Sequence, residues 1–128
     1  MTGTELVREL GIPGNYAGYR ELICAIELVA EDEDRILSVY REVYSVVGAK
    51  FNTSPFNVEK NIRTVLQVAW QRSDFTRRQY ERLAGYECGA RPFTSEFLDV
   101  AAAYLRRERD GAAGSALGTG NGTGRGAR

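Results

Sequence analysis

Apolar residues recur at intervals of three or four positions through nearly all of residues 3–109, whereas strict alternation of apolar and polar residues is rare there. The first spacing places apolar side chains on one face of a helix, and the second is what a half-buried strand requires. The pattern therefore predicts an all-α fold. The predicted helices cover residues 4–10 and 19–30, a segment that follows Asp34, and a last segment over about 94–109, with Pro92 at the boundary before it.

The third predicted helix carries its apolar residues at helical spacing, and Asp34 is expected to cap its start. Its predicted inward face is formed by Ile36, Leu37, Tyr40, Val43, Tyr44 and Val47. Trp70, Tyr40, Tyr44 and Tyr104 fall on apolar stripes, which predicts that they belong to the core rather than to a surface that stacks on nucleic-acid bases. Cys24 lies within an apolar helix face and is expected to be a small buried side chain.

The length of 128 residues corresponds to one ordinary domain. The absence of histidine excludes histidine-based catalysis, and the distant cysteines Cys24 and Cys88 have no zinc-binding spacing. No nucleophile, base or metal cluster converges in the sequence, so we expect neither an enzyme nor a bound cofactor or metal. The chain has no apolar run long enough to span a membrane and no signal pattern at its start, which predicts a cytoplasmic protein without a membrane partner.

The last eighteen residues differ in composition from the rest of the chain. Residues 111–128 contain seven of the fourteen glycines, and Leu117 is their only large apolar side chain. Such a segment cannot bury enough apolar surface to pack a core. We therefore predict a helical domain over residues 1–110 and a flexible, disordered glycine-rich tail over 111–128.

The net charge is zero, but the charges are unevenly distributed. Residues 1–34 contain two basic and eight acidic side chains, whereas residues 35–82 contain nine basic and four acidic ones. The central segment could therefore face a polyanion such as DNA. The alternative is that both signs only solvate the outer faces of helices.

Residues 43–63 have the pattern of a helix, a tight turn and a second helix. Gly48 supplies a small residue where the two helices of a helix-turn-helix must approach closely, and Asn52 tolerates the left-handed backbone that the turn requires. Ser54 is a favourable N-cap, and Pro55 suits the first position of the second helix. The sequence therefore predicts a helix-turn-helix with its second helix starting at about residue 55.

The start of this second helix carries side chains that can read bases in the major groove of DNA. The candidates for base reading are Asn57, Glu59, Lys60 and Asn61. The candidates for phosphate binding are Lys50, Ser54, Arg63, Thr64 and Arg72. The alternative is that these residues only solvate the outer face of an ordinary helix.

The same residues take part in a family resemblance. The segments that carry it are Gly11-Ile12-Pro13, Gly18-Tyr19, Phe51-Asn52-Thr53, Val58 to Arg63, Ala69 to Arg72, Gly85-Tyr86, Arg91-Pro92 and Ser95-Glu96-Phe97. In this order, over about residues 4–109, they resemble the C-terminal DNA-binding domain of the stage zero sporulation response regulator. The resemblance implies a single six-helix domain and a transcription factor of endospore-forming bacteria that binds TGTCGAA-like boxes in double-stranded DNA, with a tandem dimer on DNA as a further expectation.

The resemblance also predicts a change of operator preference. The recognition helix of the family typically begins Arg-Val-Glu-Arg, and the corresponding residues here are Asn57, Val58, Glu59 and Lys60. Two arginines that would form a planar fork with guanine are thus replaced, while the glutamate is retained. The receiver domain of the family has no counterpart in these 128 residues, and the natural-looking start at Met1 favours a domain that acts without one.

Residues 73–86 lie where the family is thought to contact the sigma subunit of RNA polymerase. Arg77, Arg78 and Arg82 are spaced to lie near one helix face, which suits either DNA phosphates or an acidic protein surface. An alternative function is therefore a DNA-independent interaction module that binds the sigma factor or a full-length relative. A solvated helix face remains the simplest interpretation of these arginines.

Overall fold

The computed structural model describes the backbone of residues 1–117 and the side chains of residues 1–111. Within these residues the chain forms six α-helices and no strand, so the predicted all-α, six-helix fold is confirmed. The helices are α1 (Gly3–Glu9), α2 (Ala17–Glu31), α3 (Ser45–Phe51), α4 (Pro55–Arg72), α5 (Phe75–Ala84) and α6 (Thr94–Leu117). A 3-10 helix over Glu33–Ser38 and a π-helical turn over Tyr40–Tyr44 connect α2 to α3.

Local signals account for several helix ends. The Thr2 hydroxyl accepts a hydrogen bond from the Glu5 backbone N–H, and the Glu5 carboxylate accepts one from the Thr2 N–H, so a reciprocal capping box starts α1. Gly85 ends α5 in a left-handed conformation with φ of 84°. These ends need only residues that are close in sequence, which is why they can be read from the chain.

The core is organised around α2, which contacts α1, α3, α4 and α6. The inward residues of α2 are fully buried, as are those of α4, where Val58, Ile62, Val65 and Leu66 face α2 and its neighbours. An aromatic cluster closes the core between α4, α5 and α6. In it the rings of Tyr80 and Phe97 stack with centroids 5.3 Å apart, and Trp70 meets both edge-on.

The connection between α2 and α3 differs from the prediction of one regular helix. Asp32 rather than Asp34 caps the 3-10 helix, because the Asp32 carboxylate accepts the Asp34 backbone N–H. Leu37 is 82% exposed and Tyr40 is 53% exposed, so the prediction that both belong to the core is wrong, whereas Tyr44 is buried as expected. The reason is geometric: a 3-10 helix and a π turn each rotate side chains by a different angle per residue from an α-helix, which breaks the 3.6-residue phase.

The last helix is longer than predicted, since α6 continues to Leu117 rather than ending near residue 109. The predicted tail of residues 111–128 thus starts within α6, and its part over residues 118–128 lies outside the described residues. Arg109 holds α6 against the start of the chain, because its guanidinium lies 2.8 Å from Glu27 and donates to the Met1 carbonyl.

Candidate nucleic-acid interface

The turn between α3 and α4 is built by Gly48 and Asn52. A Cβ atom at Gly48 would fall 2.5 Å from the Thr53 carbonyl oxygen, so only glycine lets the turn pass this closely over α3. Asn52 has φ of 59° and ψ of 48°, the left-handed conformation that ends α3. The predicted roles of both residues in a helix-turn-helix are therefore confirmed.

The start of α4 is fixed by Ser54 and Pro55. The Ser54 hydroxyl oxygen accepts a hydrogen bond of 3.0 Å from the Asn57 backbone N–H, and Pro55 occupies the first turn, where no N–H is needed. The Asn57 side-chain amide donates to the Thr53 hydroxyl at 3.2 Å. The first turn of α4 thus has a defined backbone and presents its side chains from a rigid position.

The outer face of α4 carries a continuous series of exposed side chains, which we name the α4 stripe. Its members are Phe56, Asn57, Lys60, Thr64, Gln67 and Gln71. At 3.6 residues per turn these six positions lie within about 100° of one another around the helix axis. None of the six is acidic, and all but Phe56 can donate hydrogen bonds. The stripe therefore presents a long polar surface suited to an anionic, hydrogen-bonding partner.

Glu59 lies beside the stripe and is engaged within the protein. Its carboxylate is 3.4 Å from the Arg63 guanidinium and accepts a hydrogen bond from the Thr94 hydroxyl at 3.5 Å. Thr94 begins α6, so the carboxylate also faces the positive end of that helix. Burial, with a smaller contribution from Glu59, raises the pKa of the neighbouring Tyr44 to about 12. The geometry thus gives Glu59 and Arg63 protein partners while leaving their side chains 31% and 42% exposed, so their predicted contacts with bases and phosphates stay predictions.

Asn61 lies on the other side of the stripe and faces α2. Its side-chain amide donates to both carboxylate oxygens of Glu21, at 3.1 and 3.4 Å, and Glu21 is only 5% exposed. Burial raises the pKa of Glu21 above its ordinary value, although the Asn61 hydrogen bond opposes the shift. Next to this pair, a Cβ atom at Gly18 would fall 2.6 Å from the Asn61 carbonyl carbon. The geometry therefore gives Asn61 a packing role and does not support base reading by its side chain.

The remaining phosphate candidates surround the stripe. Lys50 is exposed near the end of α3, and Ser54 is exposed in the turn. Thr64 belongs to the α4 stripe itself, and Arg72 is exposed at the last residue of α4. Ser54, Thr64 and Arg72 thus lie at the start, in the middle and at the end of α4, and Lys50 lies at the end of the preceding helix.

The three arginines of α5 do not share one environment. Arg77 lies 3.3 Å from Glu81 and 3.5 Å from Asp74, and these hydrogen bonds and charges raise the pKa of its guanidinium. Arg78 is more exposed and lies 3.9 Å from Asp74, and Arg82 is exposed on the same side of the helix. Arg78 and Arg82 are therefore the exposed arginines of α5, and Arg77 and Arg78 share the Asp74 carboxylate.

Sequence reasoning missed three members of the α4 stripe, namely Phe56, Gln67 and Gln71. The two glutamines continue the helical spacing that starts at Lys60 and Thr64, so extending that series through the whole helix would have found them. Phe56 carried no comparable signal, because an apolar residue beside Pro55 is equally consistent with a buried first turn.

Cys24 and Cys88 are free thiols, and burial raises the pKa of each. Both are partly exposed, so Cys24 is less buried than predicted. No helix in the described part of the chain is both long and apolar enough to cross a membrane. Over residues 1–111, no group of three or more His, Cys, Asp or Glu side chains is placed to hold a metal ion.

Comparison with known families identifies a family to which this chain is similar. The family model described as the sporulation initiation factor Spo0A C terminal matches residues 4–105, which is most of the chain. That family is the DNA-binding effector domain of a sporulation regulator, so the match confirms the resemblance found in the sequence. The domain is one for DNA binding and transcription regulation rather than for catalysis, and DNA is its partner.

Proposed function

The chain belongs to the sporulation initiation factor C-terminal family, and we propose that it is a sequence-specific transcriptional regulator that inserts the start of α4 into the major groove of double-stranded DNA. The observation that carries this proposal is the α4 stripe. It combines a first turn fixed by Ser54 and Pro55, exposed amide and ammonium groups, and no acidic side chain among its six members. A solvated helix face has no need to exclude carboxylates in this way.

Within the stripe, Asn57 and Lys60 are the proposed base-reading residues. An asparagine amide can pair with the N6 and N7 groups of adenine, and a lysine ammonium can donate to O6 or N7 of guanine. The two residues are neighbours on the helix surface because they are three positions apart. They can therefore contact adjacent base pairs.

Contacts with DNA phosphates would fix the position of α4 along the major groove. Lys50 and Ser54 lie near the start of the helix, and Thr64 and Arg72 lie farther along it. Phosphate contacts release counterions, so we expect affinity to fall on the order of tenfold or more between low and moderate salt.

The proposed operator is a variant of the TGTCGAA-like box that the resemblance implies. Asn57 cannot form the arginine–guanine fork and should favour adenine, whereas Lys60 still donates to guanine as a single point charge. We therefore expect a changed base pair opposite Asn57 and a less stringent one opposite Lys60.

The test is selection of bound duplexes from random sequence by the whole chain, repeated with Asn57→Arg. The expected outcome is a defined motif that shifts toward guanine at one position in the variant. The proposal is contradicted if fluorescence anisotropy detects no duplex binding at low salt. The proposal that the first turn of α4 reads bases is contradicted if the wild type and Asn57→Arg select the same motif.

The exposed Arg78 and Arg82 of α5 support a second, protein-binding role at the same promoter. They present two positive charges on one side of the helix, which fits an acidic surface such as that of a polymerase sigma subunit. We propose this contact in addition to DNA binding. We also propose that the protein binds adjacent DNA boxes as a tandem dimer and that it is located in the cytoplasm. A pull-down of purified sigma subunit by the wild-type chain and by Arg78→Ala tests the protein contact. Binding to sigma without any binding to DNA would instead favour the DNA-independent module.

A further inference from the structure

Phe56 is an unusual member of the α4 stripe because it is the only apolar one. It is the second residue of α4, and its side chain is 62% exposed, whereas the apolar residues Val58 and Ile62 on the opposite face are fully buried. Ser54 and Pro55 fix the backbone immediately before it, so the ring projects from a rigid turn. No packing requirement within the described residues explains a large aromatic ring at this position.

The neighbours of Phe56 indicate what would cover the ring. Phe56 is one helical turn from Lys60, so it shares the surface of that proposed base-reading residue, whereas Asn57 lies at the other edge of the stripe. In the major groove the edge of an A·T pair presents one apolar group, the C5-methyl of thymine, and a phenylalanine ring can pack against it. Phosphates and the polar edges of the other bases offer no such partner.

We propose that Phe56 is a specificity-determining residue that packs against the C5-methyl group of a thymine beside the base pair read by Lys60. The inference rests on the proposed function, since it requires α4 to lie in the major groove. It goes beyond hydrogen-bond reading because it assigns recognition of a methyl group to a residue that has no hydrogen-bonding group.

A different role for the ring would be stacking on a base, but the position of Phe56 argues against that role. Bases in a duplex are already stacked on one another, so a side chain on a helix that lies in the major groove meets base edges rather than base faces. Packing on a methyl group requires no distortion of the duplex.

The inference is tested with the duplex obtained by selection from random sequence. Each thymine is replaced in turn by deoxyuridine, which removes the C5-methyl group and leaves all hydrogen-bonding groups in place. The dissociation constant is measured by fluorescence anisotropy for the wild-type chain, Phe56→Ala and Phe93→Ala. Phe93 is 83% exposed and lies outside α4, so Phe93→Ala is the control for loss of an exposed ring.

We expect one thymine at which deoxyuridine weakens wild-type binding roughly fourfold, the equivalent of about 0.8 kcal/mol for one methyl group. Phe56→Ala should bind the thymine duplex more weakly and should lose the difference between thymine and deoxyuridine at that position. Phe93→Ala should keep the difference. Because Phe56 is exposed, thermal melting of Phe56→Ala should match that of the wild type.

Two results overturn the inference. If the wild type binds the selected duplex but no deoxyuridine weakens binding, or if Phe56→Ala keeps the sensitivity, Phe56 reads no methyl group and the proposed function stands. If the wild type selects no duplex at all, the proposed function fails together with the inference.

Discussion

Asn57 and Asn61 are the same residue type one turn apart on α4, yet their side chains have opposite surroundings. The exposed side chain of Asn57 donates to the neighbouring Thr53, whereas that of Asn61 donates to the buried carboxylate of Glu21 on α2. Four positions on a helix correspond to a rotation of about 40°. This rotation is enough to move a side chain from the stripe to the side of α4 that packs against α2, which we name the flank. The comparison shows that polar residues of one helix can be exposed for DNA binding on one face and can stabilise the fold on another.

The largest expected effect comes from Gly18, which lets the flank of α4 approach α2. Gly18→Ala should lower the free energy of unfolding by about 3 kcal/mol, because the added methyl group meets the Asn61 backbone rather than a flexible side chain. The direction of this change is informative, because replacing glycine by alanine within a helix otherwise increases stability. Urea denaturation measures the change.

The matched control for this substitution is Gly89→Ala, because no atom lies within 4 Å of a Cβ placed there. It should change stability by no more than about 0.5 kcal/mol. An unchanged or increased stability of Gly18→Ala would show that α2 and α4 are packed less closely than described.

The second prediction concerns the stripe. Lys60→Ala should weaken binding to the selected duplex by about 1–3 kcal/mol while changing the free energy of unfolding by less than about 0.5 kcal/mol. Anisotropy titration and urea denaturation measure the two effects. Arg8→Ala removes an exposed positive charge from α1, which is not packed against α4, and should leave affinity nearly unchanged. Equal losses for both variants would mean that only net charge matters.

The third prediction concerns the flank. Asn61→Leu should lower the free energy of unfolding by about 1–3 kcal/mol, because it leaves the buried Glu21 carboxylate without its donor. The double variant Glu21→Leu with Asn61→Leu should recover most of this loss, since neither partner is then unsatisfied. The base preference of the well-folded double variant should match that of the wild type. A changed motif would place Asn61 among the base-reading residues after all.

The smallest expected effect is a pH dependence from Glu21. Its pKa is raised in the folded chain, so the stability that it contributes is present below the ordinary pKa of glutamate and is lost as pH rises through the raised pKa. Glu21→Gln cannot ionise, so its stability relative to the wild type should increase with pH over that range. Denaturation at a series of pH values measures the difference, with the exposed Glu108→Gln as a control for removing one negative charge. Parallel profiles for Glu21→Gln and the wild type would contradict the prediction.

The parts of the fold that could be predicted depend on residues close together in the chain. Asn52, Ser54 and Pro55 define the turn and the start of α4 through bonds that reach no farther than four residues. The segment around Leu37 and Tyr40 could not be predicted, because its apolar residues have helical spacing but its backbone adopts 3-10 and π geometry. The choice between those geometries depends on how α2 and α3 are held by the rest of the core.

The candidate site also contains residues that the sequence identified and residues whose surroundings it could not show. Asn57 and Lys60 were found because a polar residue at the start of a recognition helix is visible in the sequence alone. Glu59 and Asn61 were predicted for the same surface because the sequence does not show which residues of other helices they contact. Those partners, Thr94 and Glu21, are 35 and 40 residues away along the chain.

The sequence by itself determined the all-α class, the turn before α4 and the family, because helix periods, caps and turn residues act over a few positions. Only the tertiary structure decided which polar side chains of α4 remain exposed. That outcome depends on where α2 and α6 lie against the helix, and their positions are set by packing of residues distant in sequence such as Gly18 and Phe97. A side chain is available to DNA only when no such neighbour has already bound it.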